Sequence, residues 1–120
     1  MPDKVYRTAI YCRLSREDGD KVESNSIASQ RAICEDYIAR HDDLELVCEP
    51  FVDDGYSGVS FNRPQFKKLE EAIRKGALDC IVVKDLSRFS RNYIDGGRYI
   101  EKIFPQLGIR FIAINDAYDS

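Results

Sequence analysis

The chain has 120 residues, 43% of them apolar and 32% charged, with 18 Lys and Arg against 21 Asp and Glu for a formal net charge of -3. This length bounds it to one domain that can bury a single core without staples, and the balance of residue types is that of a globular protein, which excludes low-complexity and fibrous chains. No stretch approaches the ~18 apolar residues that span a bilayer, and Met1-Pro2-Asp3-Lys4 does not open a signal peptide, so a cytoplasmic location is expected.

Val5 to Cys12 predicts a first strand, whose alternation puts Tyr11 and Arg13 on one face and Cys12 on the other, in the core. Arg16 to Asn25 is a charged polar loop, and Ser26 is a candidate N-cap for a helix carrying Ile27, Ile33, Cys34, Tyr37 and Ile38 on one face. Leu44 to Val52 predicts a second strand ending at Asp53-Asp54-Gly55. After a loop rich in Gly and Ser, Pro64 suits the first turn of a helix, Phe66, Leu69 and Ile73 form its apolar stripe, and Gly76 stands where the helix should stop.

Cys80-Ile81-Val82-Val83 is a short continuous apolar run, as expected of a strand covered on both faces. Asn92 with Asp95 three later resembles a capping pair for a helix bearing Ile94, Ile100, Ile103 and Phe104, closed by Pro105 and Gly108. Ile109 to Ile114 predicts a fourth strand. Strand and helix alternate throughout, which predicts an α/β fold of three layers: a mainly parallel central sheet with helices on both faces.

Cys12, Cys34, Cys48 and Cys80 fit no C-x-x-C or zinc spacing, and all four are expected to be reduced and buried. The lone His41 lies in a polar His-Asp-Asp turn, which argues against a Ser-His-Asp triad. No phosphate-binding glycine loop and no two-metal carboxylate cluster occurs, so neither a nucleotide cofactor nor a metal is expected.

Ligands of open α/β sheets bind beyond the carboxyl ends of the strands. There Ser15 follows strand one, Asp54 and Ser57 follow strand two, and Lys84-Asp85-Leu86-Ser87-Arg88-Phe89-Ser90-Arg91 follows strand three. A hydroxyl beside several guanidiniums reads as a site for attacking a phosphodiester, because arginine stays protonated, favours a nearby alkoxide and grips phosphate oxygens in a planar fork. Ser60 and Ser90 lie in the same loops and rival Ser15 as nucleophile.

Four strings in order, Tyr11-Cys12-Arg13-Leu14-Ser15, Asp54-Gly55-Tyr56-Ser57-Gly58, Asn62-Arg63-Pro64 and Asp85 to Arg91, resemble the catalytic domain of the serine recombinases, the resolvase and invertase family, in its large transposon-type branch. The likeness runs from about Tyr6 to Ala113. It implies a resolvase-like fold and site-specific cleavage and rejoining of DNA through a phosphoserine intermediate, with Ser15 as nucleophile, Arg13, Arg88 and Arg91 on the scissile phosphate and Arg63 in support. Tyr11, Gln30, Asp54 and Ser57 match positions that line or orient the site, and Lys84 adds a further cation. Small resolvases carry an aspartate where Ser87 stands, so a carboxylate role is not carried over to it.

The resemblance further implies a DNA crossover site as partner, self-association as dimer and synaptic tetramer in the full-length protein, and a chain ending before the long oligomerisation helix and DNA-binding regions. A pI near 5.2 argues against tight DNA binding by this segment alone. The rival from another class is a non-enzymatic phosphate-binding or regulatory module of receiver-like topology. Such a module needs an acidic cluster after strand one, where Arg13 and Ser15 stand.

Overall fold

The computed structural model describes residues 4–14 and 26–120. The apolar run at its centre forms β1 (Tyr6–Leu14), followed by α1 (Ile27–Ala39), β2 (Leu44–Leu46), β3 (Phe51–Asp54), α2 (Pro64–Arg74) and β4 (Cys80–Val83). Then come α3 (Leu86–Phe89), α4 (Tyr93–Arg98), a π-helical turn (Tyr99–Ile103), α5 (Phe104–Gln106), β5 (Arg110–Ala113), a 3-10 turn (Ile114–Asp116) and β6 (Tyr118–Asp119). The strand order is β2-β1-β4-β5-β6, with β3 also on β1, and every pairing is parallel except β5 with β6.

Alternation along β1 and β4 divides the interior in two. Ala9, Tyr11, Ile81 and Val83 face the side of α2, where Phe66, Leu69, Ile73, Phe89, Phe104 and Phe111 complete one core. Ile10, Cys12, Cys80 and Val82 face α1, packing on Cys34, Ile38 and Ile112. The three-layer α/β architecture and the two-sided burial of Cys80–Val83 are thus as the sequence predicts. Ser26 caps α1 as expected, its Oγ accepting from the Ser29 N–H at 3.1 Å. Burial of Cys12 and Cys80 pushes both thiols up to about 12, which keeps them protonated.

Several expectations need correction. The run Leu44 to Val52 is two strands, because Pro50 has no N–H to give to the ladder; β2 pairs with the start of β1 and β3 with its end. Cys48 lies in that break and is exposed. Ile94 is 83% exposed, since α4 turns its buried Gly96 inward and the apolar stripe begins only at Tyr99 and Ile100. Pro105 cannot donate to Glu101, and the helix loosens there into a π turn in which the Phe104 N–H reaches back to the Tyr99 carbonyl. The short β6 was not expected; Ala117 at φ 52 makes the turn into it, and Arg110 holds Asp119 at 2.6 Å. Among the described residues no helix is long and apolar enough to cross a membrane.

Candidate active site

The carboxyl ends of β1, β3 and β4 meet beneath the loop at residues 55–63 and the short helix α3. Arg13, on the last turn of the β1 pleat, has no exposed surface. Its backbone is fixed by Gln30 of α1, whose amide donates to the Arg13 carbonyl at 2.9 Å and accepts from the Arg13 N–H at 3.2 Å. Gln30 is fully buried, and its amide extends the β1 ladder in place of a strand. The Arg13 guanidinium donates to the carbonyls of Ser87 at 2.5 Å, Tyr56 at 3.0 Å and Arg88 at 3.2 Å.

Arg63 is also fully buried. It donates to the carbonyls of Phe89 at 2.6 Å, Ser60 at 2.8 Å, Ser57 at 3.2 Å and Gly58 at 3.2 Å, and its Cζ lies 4.7 Å from the Phe61 ring centroid. Arg88, 2% exposed, reaches back to the Arg13 carbonyl at 3.0 Å. These cations therefore sit in a cage of main-chain oxygens that ties the 55–63 loop to α3. A buried guanidinium costs several kcal/mol in solvation, and carbonyls on its N–H groups are what offset that cost. Arg91 is exposed at the rim, and its backbone N–H donates to the Gly58 carbonyl at 2.7 Å.

Gly58 is buried where the cage is tightest. A Cβ there would stand 2.7 Å from Arg13 Nη2 and 2.9 Å from Arg91 Cγ. Asp53 is 1% exposed and supports the other side: its carboxylate accepts from the Tyr11 hydroxyl at 2.8 Å and from the N–H groups of Gln65 and Phe66, both at 2.9 Å. Arg63, the residue before α2, offers no side-chain cap, so Asp53 caps that helix from a neighbouring strand. Tyr11 Oη also accepts from Arg63 Nη1 at 3.3 Å, and burial raises the phenol well above its ordinary value.

The structure thus brings Tyr11, Arg13, Gln30, Ser57, Arg63, Ser87, Arg88 and Arg91 together at one edge. Lys84 directly follows β4 there, 6% exposed, with its carbonyl accepting from the Asn115 N–H. Asp54 is exposed on the outer side of β3, and the inward carboxylate is its neighbour Asp53, which strand alternation from Tyr11 could have singled out. The Ser57 Oγ takes the Val59 N–H at 3.1 Å, the Ser60 Oγ the Asn62 N–H at 3.0 Å, and Ser90 bonds the Asn92 backbone. Ser15 and the Arg16 to Asn25 loop lie outside the described residues. Among the described residues no group of His, Cys, Asp or Glu could hold a metal ion.

The model of the Resolvase N-terminal domain matches residues 8–120. This chain belongs to the resolvase family. The resolvase domain is 31% identical over 110 residues to a Bacillus subtilis (strain 168) protein carrying a DNA-recombinase description, covering 92% of this chain and 21% of that one. It therefore spans about a fifth of the length of that curated relative. Its fold superposes on the N-terminal catalytic domain of TP901-1 integrase with a TM-score of 0.81 at 28% identity, covering 94% of this chain and 80% of the other. A resolvase family site-specific recombinase from Streptococcus pneumoniae matches with a TM-score of 0.76 at 29% identity, over 98% of this chain and 76% of that one. The resolvase domain thus shares its fold with the catalytic domains of recombinases in this family.

Proposed function

We propose that residues 1–120 are the catalytic domain of a site-specific DNA recombinase in which the Ser15 hydroxyl attacks a backbone phosphate at a crossover site. The new bond joins Ser15 Oγ to phosphorus, the bond to the 3′ oxygen breaks, and the proton lost by serine balances the one gained by the departing 3′ hydroxyl. The product is a 5′-phosphoserine ester that keeps the linkage energy. Attack by the 3′ hydroxyl of another DNA end reverses the step, so resealing requires no nucleotide.

The observation that carries this reading is the convergence of Arg13, Arg63 and Arg88 at the end of β1, next along the chain to Ser15, with Arg91 exposed above them. Charge gathers on the non-bridging oxygens in the transition state, and a preorganised guanidinium layer stabilises it without solvent reorganisation. Arg91 meets the phosphate at the surface. Arg13 and Arg88 supply positive charge from directly beneath. Arg63, Tyr11, Gln30 and Ser57 hold these groups in place, with Lys84 adding charge. The full-length protein acts on DNA as a dimer that pairs into a synaptic tetramer.

The test is Ser15→Ala in the full-length protein. It should keep DNA binding and lose both cleavage and the covalent adduct on a denaturing gel with end-labelled DNA. An adduct persisting in this variant would move the nucleophile to Ser60, Ser90 or another residue.

A further inference from the structure

Asp85 takes no part in the site as read from sequence, yet its carboxylate is tied to the guanidinium of Arg88 through one intervening atom. The Ser87 Oγ lies 2.5 Å from Asp85 Oδ1, 3.4 Å from Arg88 Nε and 3.3 Å from Arg88 Nη2. A hydroxyl has one hydrogen and two lone pairs; a carboxylate can only accept and a guanidinium can only donate. The polarity is therefore forced. Ser87 gives its proton to Asp85 and turns both lone pairs to Arg88, which leaves it no choice of rotamer.

With Nη1 on the Arg13 carbonyl at 3.0 Å, the Arg88 fork is held on two sides. The direct separation of Asp85 Oδ1 and Arg88 Nε is 3.7 Å, an ion pair too long for a hydrogen bond, with Arg88 2% and Asp85 22% exposed, so the serine is the hydrogen-bonded link between the two charges. We propose that Asp85 is a positioning residue for Arg88, acting through the Ser87 hydroxyl. The proposal rests on the reading of this site as a DNA-cleaving centre. The bland alternative is that Asp85 only caps α3, since Oδ1 also accepts the Arg88 N–H at 3.2 Å.

Two variants separate these roles. Asp85→Ser keeps a capping oxygen for the Arg88 N–H but falls short of Ser87, and Ser87→Ala keeps the cap and removes the bridge. In the 15N-labelled chain, the Arg88 Nε–Hε proton should exchange slowly in wild type and at least tenfold faster in both variants, with unchanged urea midpoints. In the full-length protein on nicked crossover-site DNA, both should form the adduct about tenfold more slowly, at unchanged DNA affinity. Asp85→Ser with wild-type exchange and wild-type adduct rate would reduce Asp85 to a cap and overturn the proposal. Unchanged exchange in Ser87→Ala would overturn the coupling through serine. An adduct surviving in Ser15→Ala would instead sink the reading of the site, while the exchange measurement still decided the positioning.

Discussion

Gly58→Ala is the sharpest probe of the arginine cage. The added Cβ would stand 2.7 Å from Arg13 Nη2, 2.9 Å from Arg13 Cζ and 2.9 Å from Arg91 Cγ, against ordinary contacts of 3.4 Å or more. Arg13 cannot retreat freely, because it is fully buried and its guanidinium is held by the carbonyls of Ser87, Tyr56 and Arg88 at 2.5 to 3.2 Å. A retreat of about half an ångström or more would lengthen at least one of these bonds past useful range. A hydrogen bond from a charged donor is worth about 1.5 to 3 kcal/mol, so the loss should be about 2 to 4 kcal/mol in all. That is a large share of the ~5 to 15 kcal/mol that holds a domain of this kind, but not all of it. Urea denaturation should show the loss, and adduct formation should fall further than stability does, since Arg13 is also displaced from beneath the phosphate. Gly97→Ala is the control. Nothing lies within 4 Å of its added Cβ, and helix propensity predicts a neutral or slightly stabilising change. If Gly58→Ala matched Gly97→Ala in both assays, the close approach of Arg13 would have no energetic meaning and the cage argument would fail.

Arg88→Lys should be nearly as damaging to cleavage as Arg88→Ala, because an ammonium cannot span the Arg13 carbonyl and the Ser87 hydroxyl at once; near-normal adduct formation by the lysine variant would refute this. Asp53→Ala strands the Tyr11 hydroxyl and the N–H groups of Gln65 and Phe66, so denaturation should report a loss of about 3 to 5 kcal/mol, against less than half of that for Asp54→Ala on the exposed side of β3. At the opposite end of the sheet, the Arg7 guanidinium holds Asp79 down to about 2. Because the folded value lies below the unfolded one near 3.8, that stabilisation is full above pH 3.8 and is lost as pH falls towards 2; Asp79→Asn should flatten the acid limb of stability in that window, and an unchanged limb would refute the pairing.

What the sequence disclosed follows from which forces leave a pattern. Continuous apolar runs and helical stripes come from burial, so Cys80–Val83 and the Phe66, Leu69, Ile73 face were legible. Cation placement at strand ends was equally legible, and Arg13, Arg63 and Arg88 do gather at one edge. The break before Phe51 could have been read from Pro50, since a missing N–H interrupts a ladder whatever the surrounding hydrophobicity. The partners of the arginines could not be read at all. Most of those described are main-chain carbonyls, among them those of Tyr56, Ser57, Gly58, Ser60, Ser87 and Phe89, and every residue type carries that group. Asp53 and Asp54 are the same residue type, and it is the pleat of β3, in register with Tyr11 and Arg13, that sends Asp53 inward.

Recognition by backbone oxygen also decides which changes the domain can absorb. Tyr56 and Val59 present exposed side chains while the main chain around them faces the guanidiniums, so the outer surface of this loop can be rewritten residue by residue with the acceptors left in place. Length is another matter. One residue inserted or deleted between Gly55 and Asn62 would shift the acceptors of both Arg13 and Arg63 together, and no side-chain substitution elsewhere could return them. The loop behaves as a ruler whose markings are peptide units, tolerant of what is written on its outer side and intolerant of being stretched.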